Sequence, residues 1–186
     1  PLRDEIPIYL AAVGLKNVEL TAEIADGWLP FMYSPTKGED IYKNSLESGF
    51  SKSGVIEKKE KFEIVTTVFG RVCEENEIDE YLYPARNIYT LYVGGMGAKS
   101  KNFYYNLFCE YGYEDIADEL QNLYLSGKKK ESEQLFPREL LDELTLVGTK
   151  KDIEQKLEKW KDSNITEISL SLPIDFETVK FIKELL

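Results

Sequence analysis

The residues with most to offer chemically sit in the stretch Ile6–Gly27, IPIYLAAVGLKNVELTAEIADG, where strand, turn and helix follow one another within a few positions. Ile6, Ile8, Tyr9 and Leu10 form a short apolar run, and Ala11, Ala12, Val13 and Gly14 are small enough for a backbone to approach a ligand closely. Val18, Ala22 and Ala25 then recur on one helical face with Glu19 and Glu23 on the other, and Asp26-Gly27 ends the helix. The unpaired N–H groups of its first turn, around Lys16 and Asn17, face the end of the strand and suit an anion such as a phosphate. The plain alternative is an ordinary strand–helix unit with no ligand at its turn. Arg86 is a second candidate, a cation in an otherwise apolar stretch that could meet an anionic tail or simply pair with one of many acids.

Other chemistries drop out. The chain has no histidine, which removes His-based triads, His metal sites and His acid–base catalysis. Cys73 and Cys109 lie far apart in no metal-like spacing and read as reduced thiols of a cytoplasmic protein, and no metal site is expected. The acidic run Glu74–Glu80 does not have the spacing of a calcium loop and reads as a solvated helix start, where the dipole favours carboxylates. Lys and Arg total 23 against 34 Asp and Glu, a net charge of -11 that repels nucleic acid and anionic membranes. An anionic cofactor would therefore need a local positive site. No segment is apolar enough to span a membrane and no leader is visible, so a soluble, unexported protein is expected.

The elements that must position these residues alternate between strand and helix. Trp28–Met32 reads as a second buried strand leaving through Tyr33-Ser34-Pro35-Thr36, and Gly38-Glu39-Asp40 opens a helix with Ile41, Leu46 and Phe50 as its apolar positions. Phe62–Val72, rich in β-branched residues, is the third strand. Tyr81–Leu125 is helical but broken by Gly94-Gly95-Met96-Gly97 and Gly112; no strand precedes these glycines, so they serve close helix packing or a sharp turn before any phosphate role. Lys128-Lys129-Lys130 reads as a solvated loop. Gly148-Thr149 caps a helix from Lys150 to Asp162 with Ile153, Leu157 and Trp160 inward, Glu167–Leu172 alternates as a fourth strand, and Phe176–Leu186 is an amphipathic helix.

Two ordered strings resemble the luciferase-like monooxygenase superfamily, and within it the branch that uses the deazaflavin coenzyme F420. The first is Pro7-Ile8-Tyr9-Leu10-Ala11-Ala12, Gly14, Lys16, Leu20 and Ala25-Asp26-Gly27-Trp28, similar to the segment after the fifth barrel strand of that branch. It departs at Leu15, where the family usually has Pro, and at Thr21-Ala22, where Ala-Gly is usual. The second runs through Ala85-Arg86, Leu91–Gly97, Asn102-Phe103-Tyr104, Gly112-Tyr113, Ala117, Leu123-Tyr124-Leu125, Gly127-Lys128, Pro137–Asp142 and Leu146–Thr149.

The resemblance implies an α/β fold that is the C-terminal half of a (β/α)8 TIM barrel, strands five to eight, with extra helices inserted before the last strand and residues 1–186 forming a single domain. A complete barrel typically needs ~250 residues. It also implies an F420-dependent oxidoreductase, with FMN as the alternative cofactor, moving a hydride between the cofactor and a small organic substrate. Ala12, Val13, Gly14, Lys16 and Asn17 would hold the cofactor phosphate. Trp28, Phe31 and Tyr33 would line the substrate pocket, unless they are simply core aromatics, and Arg86 would be the pocket's cation. No catalytic residue is assigned, because the family's usual acid–base group belongs to the N-terminal half. Alone, the half-barrel is expected to be inactive, to recruit the missing half or to self-associate; a non-catalytic partner subunit is the remaining alternative.

Overall fold

The computed structural model describes residues 6–98, 101–171 and 175–186. In chain order the elements are β1 (Tyr9–Ala11), α1 (Leu15–Ile24), β2 (Gly27–Leu29), α2 (Gly38–Ser53), α3 (Lys58–Lys61), β3 (Glu63–Val72), α4 (Ile78–Gly95), α5 (Phe103–Phe108), α6 (Glu114–Leu125), α7 (Lys129–Leu135), α8 (Arg138–Glu143), β4 (Thr145–Gly148), α9 (Lys150–Lys161), β5 (Glu167–Ser171) and α10 (Phe176–Leu185). The strands run β1-β2-β3-β4 with β5 also pairing β3, and the pairings β1–β2, β2–β3 and β3–β4 are all parallel. This is the expected α/β class with a parallel sheet. The chain divides into two compact units, one holding the chain up to Thr67 with Lys161–Ser169, the other Val68–Trp160 with Leu170–Leu186.

In the first unit Leu10 lies opposite Trp28 and Trp28 opposite Ile64, so β2 is flanked on both edges. Helix α1 carries the chain from β1 to β2 and buries Val18, Thr21 and Ala22, the face its apolar spacing predicts. Helix α2 lies against it at Gly49, where a Cβ would come within 2.2 Å of the Glu19 carbonyl oxygen. It ends at Gly54, whose φ of 66° is the left-handed conformation that closes helices. Thr166 ties the later segment back: its N–H donates to the Ile64 carbonyl at 3.0 Å, and the Ile64 N–H donates to Thr166 Oγ1 at 2.8 Å.

The second unit is built on α4, which buries Leu82, Ala85, Tyr89, Thr90, Val93 and Gly94. Tyr124 of α6 sits where side chains at Gly94 and Gly95 would be: a Cβ on Gly94 would lie 2.6 Å from Tyr124 Cβ, and one on Gly95 2.5 Å from Tyr124 Cε1. The two glycines thus serve close helix packing, as expected. Asn102, 1% exposed, joins α4 to α5. Its Nδ2 donates to the Tyr92 and Val93 carbonyls at 2.9 and 2.8 Å, and its Oδ1 accepts from the Tyr104 and Tyr105 amides at 2.9 and 3.2 Å. One side chain therefore closes the end of one helix and the start of the next.

Three expectations need correction. There are five strands among the described residues, not four: β4 pairs the second half of β3, with Leu146 opposite Gly70. All of its residues are buried, so it shows no alternation, and its short run sits between two helical patterns. β2 stops at Leu29 instead of reaching Met32, because the chain bends after Pro30 and Met32 takes a positive φ of 58°, which no ladder accommodates. Lys129 and Lys130 open α7 instead of lying in a loop; both are exposed, and Lys is a good helix former. Leu172, the expected end of the last strand, lies outside the described residues.

Asn102→Ala removes a helix cap and the Nδ2 donor to the Tyr92 and Val93 carbonyls, the second of which also accepts from Gln121 Nε2 at 3.5 Å, so it should cost about 2 kcal/mol in a denaturant titration. Thr149 and Asp152 cap α9 reciprocally, with Thr149 Oγ1 donating to Asp152 Oδ2 at 2.7 Å, and this hydroxyl bond is the main reason the Asp152 carboxyl is held below its ordinary range. A carboxyl whose pKa falls on folding contributes stability that is present above the unfolded value, about 4, and lost as pH falls through the folded value. Asp152→Asn should therefore be less stable than wild type at neutral pH, with the gap closing below about pH 4 in thermal melts across pH.

Candidate functional site

β1 ends at Ala11, and the chain passes through Ala12 and Val13 to Gly14, the residue that caps α1. Gly14 has φ −67° and ψ 135°, ordinary extended values, and its carbonyl accepts the Asn17 and Val18 amides at 2.9 and 3.0 Å. No side chain caps this helix and no acidic residue stands in its first turn. The amides of Val13, Gly14, Leu15 and Lys16 find no acceptor among the described residues. Lys16 and Asn17 are exposed, Val13 and Gly14 half-buried, and Ala12 buried. In a chain of net charge -11, this is a locally positive helix end at the C-terminal end of a parallel strand, with Glu19, in the next turn, the carboxylate that feels Lys16. Free amides, one lysine and no competing carboxylate in that turn are the donor set a phosphate needs.

The turn is braced from behind. Trp28, fully buried on β2, donates its indole N–H to the Ala12 carbonyl at 2.9 Å. At the other end of α1, the Asp26 amide donates to the Ile8 carbonyl at 2.8 Å and Asp26 Oδ2 accepts the Ile8 amide at 2.8 Å, which returns the helix to the start of β1.

The aromatic candidates fall into different surroundings. Trp28 meets Tyr33 and Tyr42 edge-on with ring centroids 5.9 and 4.8 Å away. Tyr33 is buried, donates its hydroxyl to Asn164 Oδ1, and fills the space a Cβ on Gly38 would take. Burial, reinforced by Glu39, pushes its phenol far above the usual range, so it stays neutral. Phe31 is half-buried on the bend after Pro30. The structure thus gathers Ala12–Asn17, Trp28, Phe31 and Tyr33 in one unit, with Trp28 and Tyr33 in its core. Arg86 belongs to the other unit, on α4; it forms no ion pair among the described residues, and its buried Nε has no hydrogen-bond partner. Neither the Trp28–Ala12 bond nor the Tyr33–Asn164 bond was legible in the chain, since each joins residues that no motif links.

Among the described residues no group of three or more His, Cys, Asp or Glu could hold a metal, and no helix is long and apolar enough to cross a membrane. The acidic run behaves as a helix start: Glu74 and Glu77 cap each other's backbone ahead of α4.

Comparison with known proteins gives this geometry a context. Residues 1–167 match the model of the luciferase-like monooxygenase family. A protein of Mycobacterium tuberculosis named as a coenzyme F420-dependent oxidoreductase is 37% identical over 166 residues, 89% of this chain and 47% of the relative. The 5,10-methylenetetrahydromethanopterin reductase of Archaeoglobus fulgidus is 22% identical over 178 residues, 96% of this chain and 52% of that protein. Among solved structures, the coenzyme F420-dependent tetrahydromethanopterin reductase of Methanopyrus kandleri superposes with a TM-score of 0.70 at 18% identity, covering 97% of this chain and 48% of that one. An F420-dependent secondary alcohol dehydrogenase bound to an F420–acetone adduct gives 0.66 at 16%, over 98% and 48%. The chain spans about half the length of the curated relatives it matches. With nine-tenths of its residues inside the family match and a relative above one-third identity, the chain belongs to the luciferase-like monooxygenase family.

Proposed function

We propose that this chain is the C-terminal half of a (β/α)8-barrel oxidoreductase that binds coenzyme F420, residues 1–186 being one part of a single catalytic domain. The observation that carries the reading is the uncapped first turn of α1, with free amides and Lys16 at the end of β1 and no carboxylate in that turn. Its support is the F420 dependence named for the relatives and the half-length coverage of each. Active sites of such barrels lie at the C-terminal ends of the strands, which is where this turn stands on β1.

On this reading the free amides of Val13, Gly14 and Lys16 hold the cofactor phosphate in the turn from Ala12 to Asn17, the Asn17 amide being already bonded to the Gly14 carbonyl, and Lys16 supplies the charge. When bound, the deazaflavin supplies the hydride chemistry toward a small organic substrate. What this half contributes is binding, orientation and exclusion of water. Phe31, half-buried on its bend in the first unit, is the candidate here for lining a substrate pocket. By the family resemblance, the acid–base group belongs to the other half.

Gly14 takes backbone angles open to any residue, so Gly14→Leu should leave the melting temperature nearly unchanged while obstructing the turn. In the full-length polypeptide carrying this sequence, F420 affinity should fall at least about tenfold by calorimetry, ~1.4 kcal/mol. Unchanged affinity removes this phosphate site. Titrating the same protein with FMN should give the weaker binding; tighter FMN binding would instead make it a flavin-dependent member of the family.

A further inference from the structure

We propose that Trp28 is a positioning residue for the phosphate turn, an inference that rests on the cofactor reading above. The indole touches no solvent and packs edge-on against Tyr33 and Tyr42. It cannot reach a ligand without leaving the core. Its single polar group, Nε1–H, is committed to the Ala12 carbonyl at 2.9 Å, a bond buried at both ends.

That bond sets the orientation of a peptide plane. In a trans peptide the C=O and the following N–H point in opposite directions. Drawing the Ala12 carbonyl toward the indole therefore turns the Val13 N–H away from it, and the Val13 amide is the first of the donors that have no acceptor among the described residues. The same bond keeps a carbonyl oxygen from swinging toward the place an anion would occupy. A donor array already oriented before the ligand arrives loses less on binding than one that must be ordered by it. Trp28 is itself fixed by register, paired with Leu10 on one side and Ile64 on the other, so strand pairing is transmitted through one indole to the turn.

The test uses the full-length polypeptide carrying this sequence and two probes, coenzyme F420 and a deazaflavin riboside that lacks the phosphate. Trp28→Phe keeps an aromatic ring in the core and removes the donor. The affinity of the variant for F420 should fall about tenfold, the worth of one hydrogen bond, with under about a twofold change for the phosphate-free probe. Equal losses for both probes would make Trp28 a core residue only, and no loss for F420 would make the bond irrelevant to binding; either overturns the inference while leaving the phosphate turn in place. Wild-type protein that binds the two probes equally overturns the turn itself, and the inference with it. A measurement on wild type guards against a variant that fails to fold. The Nε1–H resonance of Trp28, identified by sequential assignment of the wild-type protein, should exchange more slowly with F420 bound than with the phosphate-free probe, and equal exchange overturns the role.

Discussion

Parallel strand pairing is the constraint on which the rest of the molecule depends. Two strands that run the same way cannot be joined by a tight turn, so a helix must carry the chain back before the next strand can pair. α1 does this between β1 and β2, and α2 with α3 does it between β2 and β3. A returning helix begins where the preceding strand stops, so its unpaired amides collect at the C-terminal end of that strand. The turn after β1 is thus a product of topology before any particular side chain is chosen. What the side chains add is restraint. β1 and β2 are three residues each, too short for ladder bonds alone to hold the loop beyond them, and the buried indole of Trp28 extends that hold to Ala12.

The charge pattern follows the same division of labour. The chain is strongly acidic, yet the first turn of α1 carries no carboxylate. Glu19, the nearest acid along the helix, is engaged by Lys52 and by Ser48 of α2, and those hydrogen bonds hold its carboxyl below the usual range. Exposed pairs of this kind add little to stability. Their effect here is to direct a negative group sideways toward α2.

Much of the fold was legible because local rules and tertiary packing agree. Small residues before a helical repeat located the β1–α1 turn, the β-branched run located β3, and Gly94-Gly95 identified a helix contact that Tyr124 fills. Failures came where local chemistry is silent. A wholly buried four-residue strand such as β4 has no periodicity to display, and the apolar sequence after Leu29 gives no warning that Met32 adopts a positive φ. Within the site, the residue types around Gly14 pointed to an anion, but the bond from Trp28 spans 16 positions and depends on strand register, which composition does not encode. Trp28 and Tyr33 were recognisable as important aromatics; whether they face a cavity or a core is decided only by packing.

Asn102 illustrates how much can rest on one amide. Its carbonyl end receives two backbone N–H groups and its amino end serves two backbone carbonyls, so the side chain has a definite head and tail. Spontaneous hydrolysis of that amide to aspartate would change only one small group, yet it would set an anion against the Tyr92 and Val93 carbonyls. The corner between α4 and α5 is therefore a place where chemical ageing of the polypeptide, with no change in its genetic sequence, would loosen the fold from within.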